Sequence, residues 1–218
     1  VYVEPSSLGA LKPPADDGAD TVRGDIHSLG MHMNYGGGQA GFIATRDEER
    51  DIMEYPSRLF GIAPTRVAGE YGFGDVAYER TTFAVREEGK EWVGTAAAIW
   101  GITAGVYLAL MGPTGMVELG ESILARVSYA KTKLAAVPGV VIPHKDSLHF
   151  QEFLVNFDRS GKTVAEINQA LLNQGIFAGV DVSSTYPEFG QSALYAFSEV
   201  HTKADIDTLV SALKEVLV

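Results

Sequence analysis

Residues 152–172 read EFLVNFDRSGKTVAEINQALL and contain one complete strand–turn–helix unit. Glu152–Phe157 is rich in apolar residues, which is typical of a strand, and the polar run Asp158–Lys162 predicts a turn. Thr163 stands three residues before Glu166, which is the pattern of a helix capping box, and apolar residues then recur at helical spacing. Strands that alternate with helices predict an α/β protein.

Two further strands and a final helix are predicted after this unit. The first helix should end at Gly175, because glycine readily adopts the left-handed conformation that closes helices. Short apolar runs at Ile176–Ala178 and Ala193–Phe197 predict strands, and Thr202 predicts the N-cap of the last helix. The side chains expected to face inward from the two helices are Val164, Ile167, Leu171, Leu172, Ile206, Leu209, Val210, Leu213 and Leu217.

Two apolar helices are predicted upstream, separated by Gly112-Pro113. Residues 95–111 are apolar nearly all round, which is typical of a core helix buried on every side, and the run is short for a bilayer span. The second helix is predicted to start at Pro113 and to end near Ala136, before Pro138. Its core-facing residues are expected to be Leu119, Ile123, Val127, Ala130 and Leu134.

The first third of the chain is rich in glycine and turns. Its predicted strands are Val1–Val3, Thr21–Arg23 and a buried Gly41–Thr45, with weaker candidates at Ser57–Ile62 and Glu79–Phe83. A short helix is predicted at Arg46–Glu54 and a loop at Gly69–Gly74. Because a small α/β unit follows the two helices, we predict two domains, residues 1–137 and residues 138–218.

Composition excludes several classes of function. The net charge is −11 and the pI is about 4.8, so a nucleic-acid backbone would be repelled. The chain has no cysteine, which excludes disulfides and thiolate chemistry, and its five histidines lack the spacing of a metal site. No signal peptide precedes the first predicted strand, so we expect a cytoplasmic protein without metal, nucleic-acid or membrane partners.

Two glycine-rich segments are candidate phosphate sites. Gly161-Lys162-Thr163 resembles the end of a P-loop, but that motif needs glycine at position 156, where Asn156 stands, so a turn and helix cap are favoured. The second segment is Gly36-Gly37-Gly38, which bares backbone N–H groups. Two interpretations of this segment stay open: it closely approaches a phosphate or another subunit, or it is a plain turn.

A series of short motifs follows the order found in one known family. The motifs are SLGALKPP at 7–14, GAD at 18–20, GD at 24–25, LG…GG…GFIAT at 29–45 and PSRLFG at 56–61. Together they resemble the α-type subunit of glycine dehydrogenase (decarboxylating) in its two-subunit form. The resemblance implies a fold-type I pyridoxal-phosphate protein, of which this chain is the C-terminal half. It would contain the end of the large, mostly parallel-sheet domain and the whole small C-terminal α/β domain.

The same resemblance implies a role in a complex. The activity would be glycine decarboxylation, with transfer of the aminomethyl group to a lipoyl carrier (H) protein. A β-type subunit would be the partner in a heterodimer. Pyridoxal phosphate would be bound by that subunit, because it carries the lysine that forms a Schiff base with the cofactor.

In the β-type subunit that lysine lies shortly before a glycine-rich loop, and the same interval before Gly36-Gly37 leads here to His27. Imidazole forms no such Schiff base, so no covalent cofactor and no catalytic residue are expected in this chain. His27, Asn34, Gly36 and Gly37 are expected to lie near the cofactor at the subunit interface. A basic run that follows Arg86-Glu87 in the family is replaced by residues 88–100, which argues against a direct active-site role there.

Two alternatives stay open at this point. The chain would be a non-catalytic structural or regulatory remnant, forming a homodimer in isolation or binding a partner through apolar faces. It would otherwise be a fragment of another fold-type I enzyme, such as an aminotransferase or a cysteine desulfurase-like lyase, which normally carries its own lysine near position 27.

Overall fold

A computed structural model describes residues 1–31, 40–90 and 97–218. It divides into two compact units, residues 1–112 and residues 113–218. The predicted domain boundary between residues 137 and 138 stays a prediction.

The first unit contains two separate antiparallel hairpins. Strand β1 (Thr21–Asp25) pairs with β2 (Gly41–Thr45), and β3 (Phe60–Pro64) pairs with β4 (Tyr71–Asp75). The remaining elements are short: α1 (Glu49–Ile52), α2 (Thr82–Val85) and 3₁₀ turns at Pro5–Gly9, Pro14–Asp17, Tyr78–Arg80 and Arg86–Glu88.

Several predictions for this unit are wrong. β2 is mostly exposed and not buried, and the predicted strand Glu79–Phe83 consists of helical turns. The predicted loop Gly69–Gly74 lies largely in β4, where Phe73 opposes Ile62 across the hairpin. Cross-strand pairing therefore overrides the local preference of glycine for turns.

Helix α3 (Ala98–Ala135) contains a break at Gly112, whose φ of 61° and ψ of 179° are not helical. The break was predicted from Gly112-Pro113 and is confirmed. After it, residues 113–135 belong to the second unit and present the predicted core positions, all of them buried: Leu119, Ile123, Val127, Ala130 and Leu134.

The part of α3 before the break is not buried on every side, so that prediction is wrong. Of residues 98–111, Ala104 is buried, whereas Ile102 is 67% exposed and Leu110 is 83% exposed. By length and composition alone, α3 is one helix among the described residues that could cross a membrane.

The second unit contains a three-stranded antiparallel sheet in the order β5-β7-β6. The strands are β5 (Glu152–Asn156), β6 (Val180–Asp181) and β7 (Ser192–Ala196). Helices α4 (Val164–Leu172) and α5 (Lys203–Val216) complete the unit. Its fully buried core combines sheet and helix side chains: Leu134, Phe153, Val155, Phe157, Ala193, Ile167, Leu171 and Leu213.

The capping box predicted at Thr163 is present, and a second capping box forms at the predicted N-cap Thr202. The Glu166 N–H donates to Thr163 Oγ1 at 3.3 Å, and the Thr163 N–H donates to Glu166 Oε2 at 2.8 Å. Thr202 and Asp205 form the same pair of bonds at 3.2 and 2.7 Å. In each box, hydrogen bonds from the threonine lower the pKa of the carboxyl group. The two helices therefore begin where the sequence places them.

Two details of the second unit differ from expectation. The residues Ile176–Ala178, predicted as a strand, are irregular, and β6 forms two residues later. Leu172, predicted to face inward, is 44% exposed, because α4 ends there and its buried face is completed by Leu171.

Candidate functional site

The candidate site lies on the turn that follows β1, and Asp25 organises it. The Asp25 carboxylate accepts a hydrogen bond from the His27 N–H at 3.1 Å and another from the Tyr2 hydroxyl at 2.7 Å. The second bond is the main cause that raises the pKa of Tyr2. The His27 imidazole is 45% exposed, with Nδ1 3.9 Å from Asp25 Oδ1. The turn thus fixes the backbone of His27 and leaves its ring accessible.

Buried contacts hold this turn in place. Ile26 and Leu29 are 7% and 5% exposed, on either side of the accessible imidazole. Gly30 has a φ of 82°, and a Cβ there would lie 2.9 Å from Tyr107 Cδ2, so only glycine fits without displacing that ring. Close packing against α3 therefore fixes the C-terminal end of the turn.

Position 27 is a histidine, and the two lysines described in this unit, Lys12 and Lys90, are bound to other partners. The Lys12 Nζ contacts Asp17 Oδ1 at 2.5 Å and the Asp16 carbonyl at 3.0 Å, within its own loop. Lys90 is hydrogen-bonded to Glu54. Because an imine requires a primary amine, the residues present do not fit covalent attachment of pyridoxal phosphate at His27.

Three of the four residues predicted near the cofactor lie outside the described part of the chain. They are Asn34, Gly36 and Gly37, and the substituted residues 91–96 lie outside it as well. Their role stays a prediction. The described part also holds no group of three or more histidine, aspartate or glutamate side chains that could bind a metal ion.

Sequence analysis missed a buried cation in the first unit. Arg80 is 3% exposed, and its guanidinium donates to the carbonyls of Tyr55 at 2.9 Å and Ser57 at 2.8 Å. These carbonyls lie more than twenty residues away in sequence, so no local motif identifies them. Arg80 ties the turn before α2 to the segment that leads into β3.

The second unit has a cleft of about 540 Å³ lined by Lys131, Lys145, His149 and apolar side chains such as Leu124 and Ile142. The Lys131 ammonium donates to the carbonyls of Lys145 at 3.0 Å and Ser147 at 3.3 Å. It also lies 2.8 Å from His149 Nδ1, which accepts its hydrogen bond when the imidazole is neutral. Lys131 therefore holds in place the loop of residues 145–149, which lines the cleft.

This contact predicts a titration change. Partial burial, followed by the Lys131 charge, lowers the pKa of His149 below its usual value. The stability gained from neutral His149 is therefore present above pH about 6.5 and is lost as the pH falls through the lowered pKa. Replacing Lys131→Met should raise the pKa of His149 only partway, because burial remains, as an NMR titration of the ring would show.

Lys133→Met provides the matched control for this titration. Lys133 lies two residues away on the same helix, with Nζ 5.3 Å from the Tyr129 ring centre. The control should leave the pKa of His149 unchanged. Equal shifts in the two variants would show that the direct contact with Lys131 is not the cause.

A second cleft in this unit, of about 510 Å³, borders the end of β7 and the start of α5. Tyr195 lines it with a ring that is almost fully buried, and burial raises the pKa of its hydroxyl to about 12. Gly179 packs on the ring so closely that a Cβ there would lie 2.4 Å from Tyr195 Cδ2. This ring is a packing element of the unit and stays neutral.

Comparisons with known proteins agree over almost the whole chain. Residues 1–213 match the sequence profile of a family described as glycine cleavage system P-protein. A probable glycine dehydrogenase (decarboxylating) subunit 1 of Staphylothermus marinus is 36% identical and covers 99% of this chain and 45% of its own. The corresponding protein of Pyrococcus furiosus is 35% identical and covers 100% and 47%. The chain thus spans about half the length of these relatives.

Solved structures give the same picture of the fold. A crystal structure of glycine decarboxylase (P-protein) of the glycine cleavage system, in inhibitor-bound form, superposes with a TM-score of 0.84 at 31% identity, over 99% of this chain and 47% of that one. A NifS-like protein of Rickettsia africae, at 17% identity, matches 91% of this chain and 48% of its own with a TM-score of 0.55. The α/β, fold-type I architecture predicted from the sequence is confirmed.

Proposed function

The chain belongs to the glycine cleavage system P-protein family, and on this premise we propose that it serves as part of a glycine dehydrogenase (decarboxylating) subunit 1. The observation that carries the proposal is the match to proteins of that name over 99–100% of the chain. A fragment of another fold-type I enzyme, such as an aminotransferase or a desulfurase-like lyase, is not favoured, because similarity to NifS-like proteins stays at 14–17% identity.

In this proposal the chain supports glycine decarboxylation without holding the cofactor covalently. Pyridoxal phosphate supplies the electron sink for decarboxylation and is bound by a β-type partner subunit. This chain offers His27, whose ring is accessible and whose backbone is fixed by Asp25. Together with Asn34, Gly36 and Gly37, His27 would face the partner's cofactor site.

The proposal includes the wider assembly. The aminomethyl group that remains after decarboxylation would pass to the lipoyl arm of a carrier (H) protein, and the complex would work in the cytoplasm. The chain's net charge of −11 is compatible with a soluble complex and with the absence of nucleic acid. The support for a partner subunit is the subunit 1 name of the relatives.

Borohydride trapping tests the proposal. The purified chain is mixed with a lysine-bearing β-type subunit and pyridoxal phosphate, dialysed, reduced with borohydride and mapped by mass spectrometry. Reduction fixes an imine as a stable pyridoxyl-lysine. We expect the two proteins to co-elute, and the adduct to occur in the β-type subunit and on no lysine of this chain.

Lys12→Arg is the matched control, because Lys12 is the lysine nearest to His27 in the sequence. The variant should behave as the wild type does. The chain by itself could instead form a stoichiometric adduct that Lys12→Arg abolishes. That result would contradict the assignment of the cofactor to the β-type subunit. Failure of the chain to associate with any β-type subunit would contradict the proposed complex.

A further inference from the structure

The first part of α3 exposes a continuous apolar arc. Consecutive residues of an α-helix point about 100° apart, which places Ala104 and the half-buried Tyr107 on one side of the helix. The exposed residues of 98–111 carry no charged or hydrogen-bonding side chain. The residues of this exposed arc are Ala98, Ile99, Gly101, Ile102, Gly105, Val106, Leu108, Ala109 and Leu110.

The exposure of this arc is large for a protein surface. Ile99, Ile102, Val106 and Leu110 are 62%, 67%, 64% and 83% exposed and follow one another along the helix. Contiguous apolar patches of this kind mark contacts with protein or lipid, whereas single exposed apolar residues need no explanation. The arc therefore requires a cover.

The centre of the arc is shaped for close packing. A Cβ added at Gly101 or Gly105 would meet no atom within 4 Å, so the space above both glycines is open. Gly101, Gly105 and Ala109 recur at every fourth position, and the larger Ile102 and Val106 stand beside them. A helix or strand can approach such a surface more closely than it could approach one lined with leucine.

We propose that this arc packs against the half of the P-protein fold that the chain does not span. Relatives with this fold are about twice as long, since the chain covers 45% of the Staphylothermus marinus protein and 47% of the superposed crystal structure. In those relatives one polypeptide supplies a second half of similar size. The inference rests on family membership and coverage, and not on the proposed catalytic role.

A membrane is a less suitable cover than protein. Because α3 breaks at Gly112, the apolar helix covers residues 98–111 and is about 21 Å long, against about 30 Å for a hydrocarbon core. The glycines at the centre of the arc also expose backbone, which favours a protein neighbour over lipid tails.

Complementation in trans tests the proposal. The 218-residue chain is co-expressed with the part of the Staphylothermus marinus protein that it does not match, and the complex is isolated by size exclusion. Hydrogen–deuterium exchange is then followed for peptides of residues 98–111. We expect the two halves to co-elute at one to one and exchange in these peptides to slow at least tenfold relative to the chain alone.

A double variant, Ile102→Glu with Val106→Glu, should abolish co-elution. In the chain alone both positions are exposed, and glutamate favours helix at least as well as these β-branched residues, so the variant should keep its far-UV circular dichroism and stay soluble. Val200→Glu is the matched control, because Val200 is 71% exposed and lies outside α3. This control should bind the complementing half as the wild type does.

Four outcomes would overturn the proposal. The first is a wild-type chain that never binds the complementing half, and the second is a double variant that binds it normally. The third is a homodimer that protects residues 98–111 and excludes the other half, which would make a second copy the cover. The fourth is protection of these residues by phospholipid vesicles and not by the complementing half. None of these measurements requires cofactor or activity, so they are independent of the borohydride result.

Discussion

Phe157→Ala is expected to lower the free energy of unfolding of residues 113–218 by about 3–5 kcal/mol. The Phe157 side chain is 0% exposed and lies at the end of β5, where its ring centre is 6.4 Å from that of Tyr195. Truncation removes the largest type of core side chain and leaves a cavity that the surrounding sheet and helices fill only in part. Native-state hydrogen exchange of the α4 and α5 amides measures the loss.

Phe177→Ala is the matched control, since the same truncation is made in the same unit at a side chain that is 90% exposed. A change within about 0.5 kcal/mol is expected there, as for most surface substitutions. Similar losses in both variants would show that the core of this unit is not where the structure places it.

Gly190→Ala is expected to destabilise the same unit by about 2–4 kcal/mol. The φ of 62° and ψ of −145° belong to a region that is essentially restricted to glycine. A Cβ would lie 2.3 Å from Asp158 Oδ2, so the carboxylate would have to move. It would then lose its hydrogen bonds from the Gln191 N–H at 2.8 Å and the Asn156 amide at 2.9 Å.

Gly161→Ala is the control for Gly190→Ala. Gly161 also has a positive φ, 72°, but a Cβ there would meet no atom within 4 Å. The substitution should cost about 1 kcal/mol from the left-handed backbone alone. Urea unfolding of both variants separates backbone strain from the steric clash, and equal effects would argue against the clash.

The pH dependence adds a second test of Gly190→Ala. The hydrogen bonds from Gln191 and Asn156 lower the pKa of Asp158. This contribution to stability is present above the unfolded pKa of about 3.9 and is lost as the pH falls through the lowered pKa. The difference between wild type and Gly190→Ala should therefore shrink below pH about 4, and a constant difference would show that backbone strain dominates.

Local sequence signals predicted most of the second unit. The box at Thr163 and Glu166 fixed the start of α4 because both of its hydrogen bonds form between residues three apart. Helical spacing identified Ile123, Val127 and Leu134 as core, since one face of a helix repeats every three to four residues. These features depend on neighbours in sequence, and the structure confirms them.

The candidate site could be predicted only in part. The interval to the glycine run selected His27, and the structure adds that Asp25 fixes its backbone and that its ring is accessible. The burial of Arg80 could not be predicted from the sequence. Its partners are the backbone carbonyls of Tyr55 and Ser57, and every residue type has such a carbonyl. The roles of the glycine run itself stay predictions.

The sequence by itself determined the α/β class, the missing amine at position 27, the break at Gly112 and the helices of the second unit. Only the tertiary structure decided which apolar surfaces are covered. The apolar sequence of residues 98–111 is compatible with a buried core helix and with an exposed one, and the structure shows that it is largely exposed. A glycine-rich run such as β4 becomes a strand only when β3 pairs with it. Periodicity states which side of an element is apolar, whereas burial depends on a neighbour that is distant in the chain or belongs to another polypeptide.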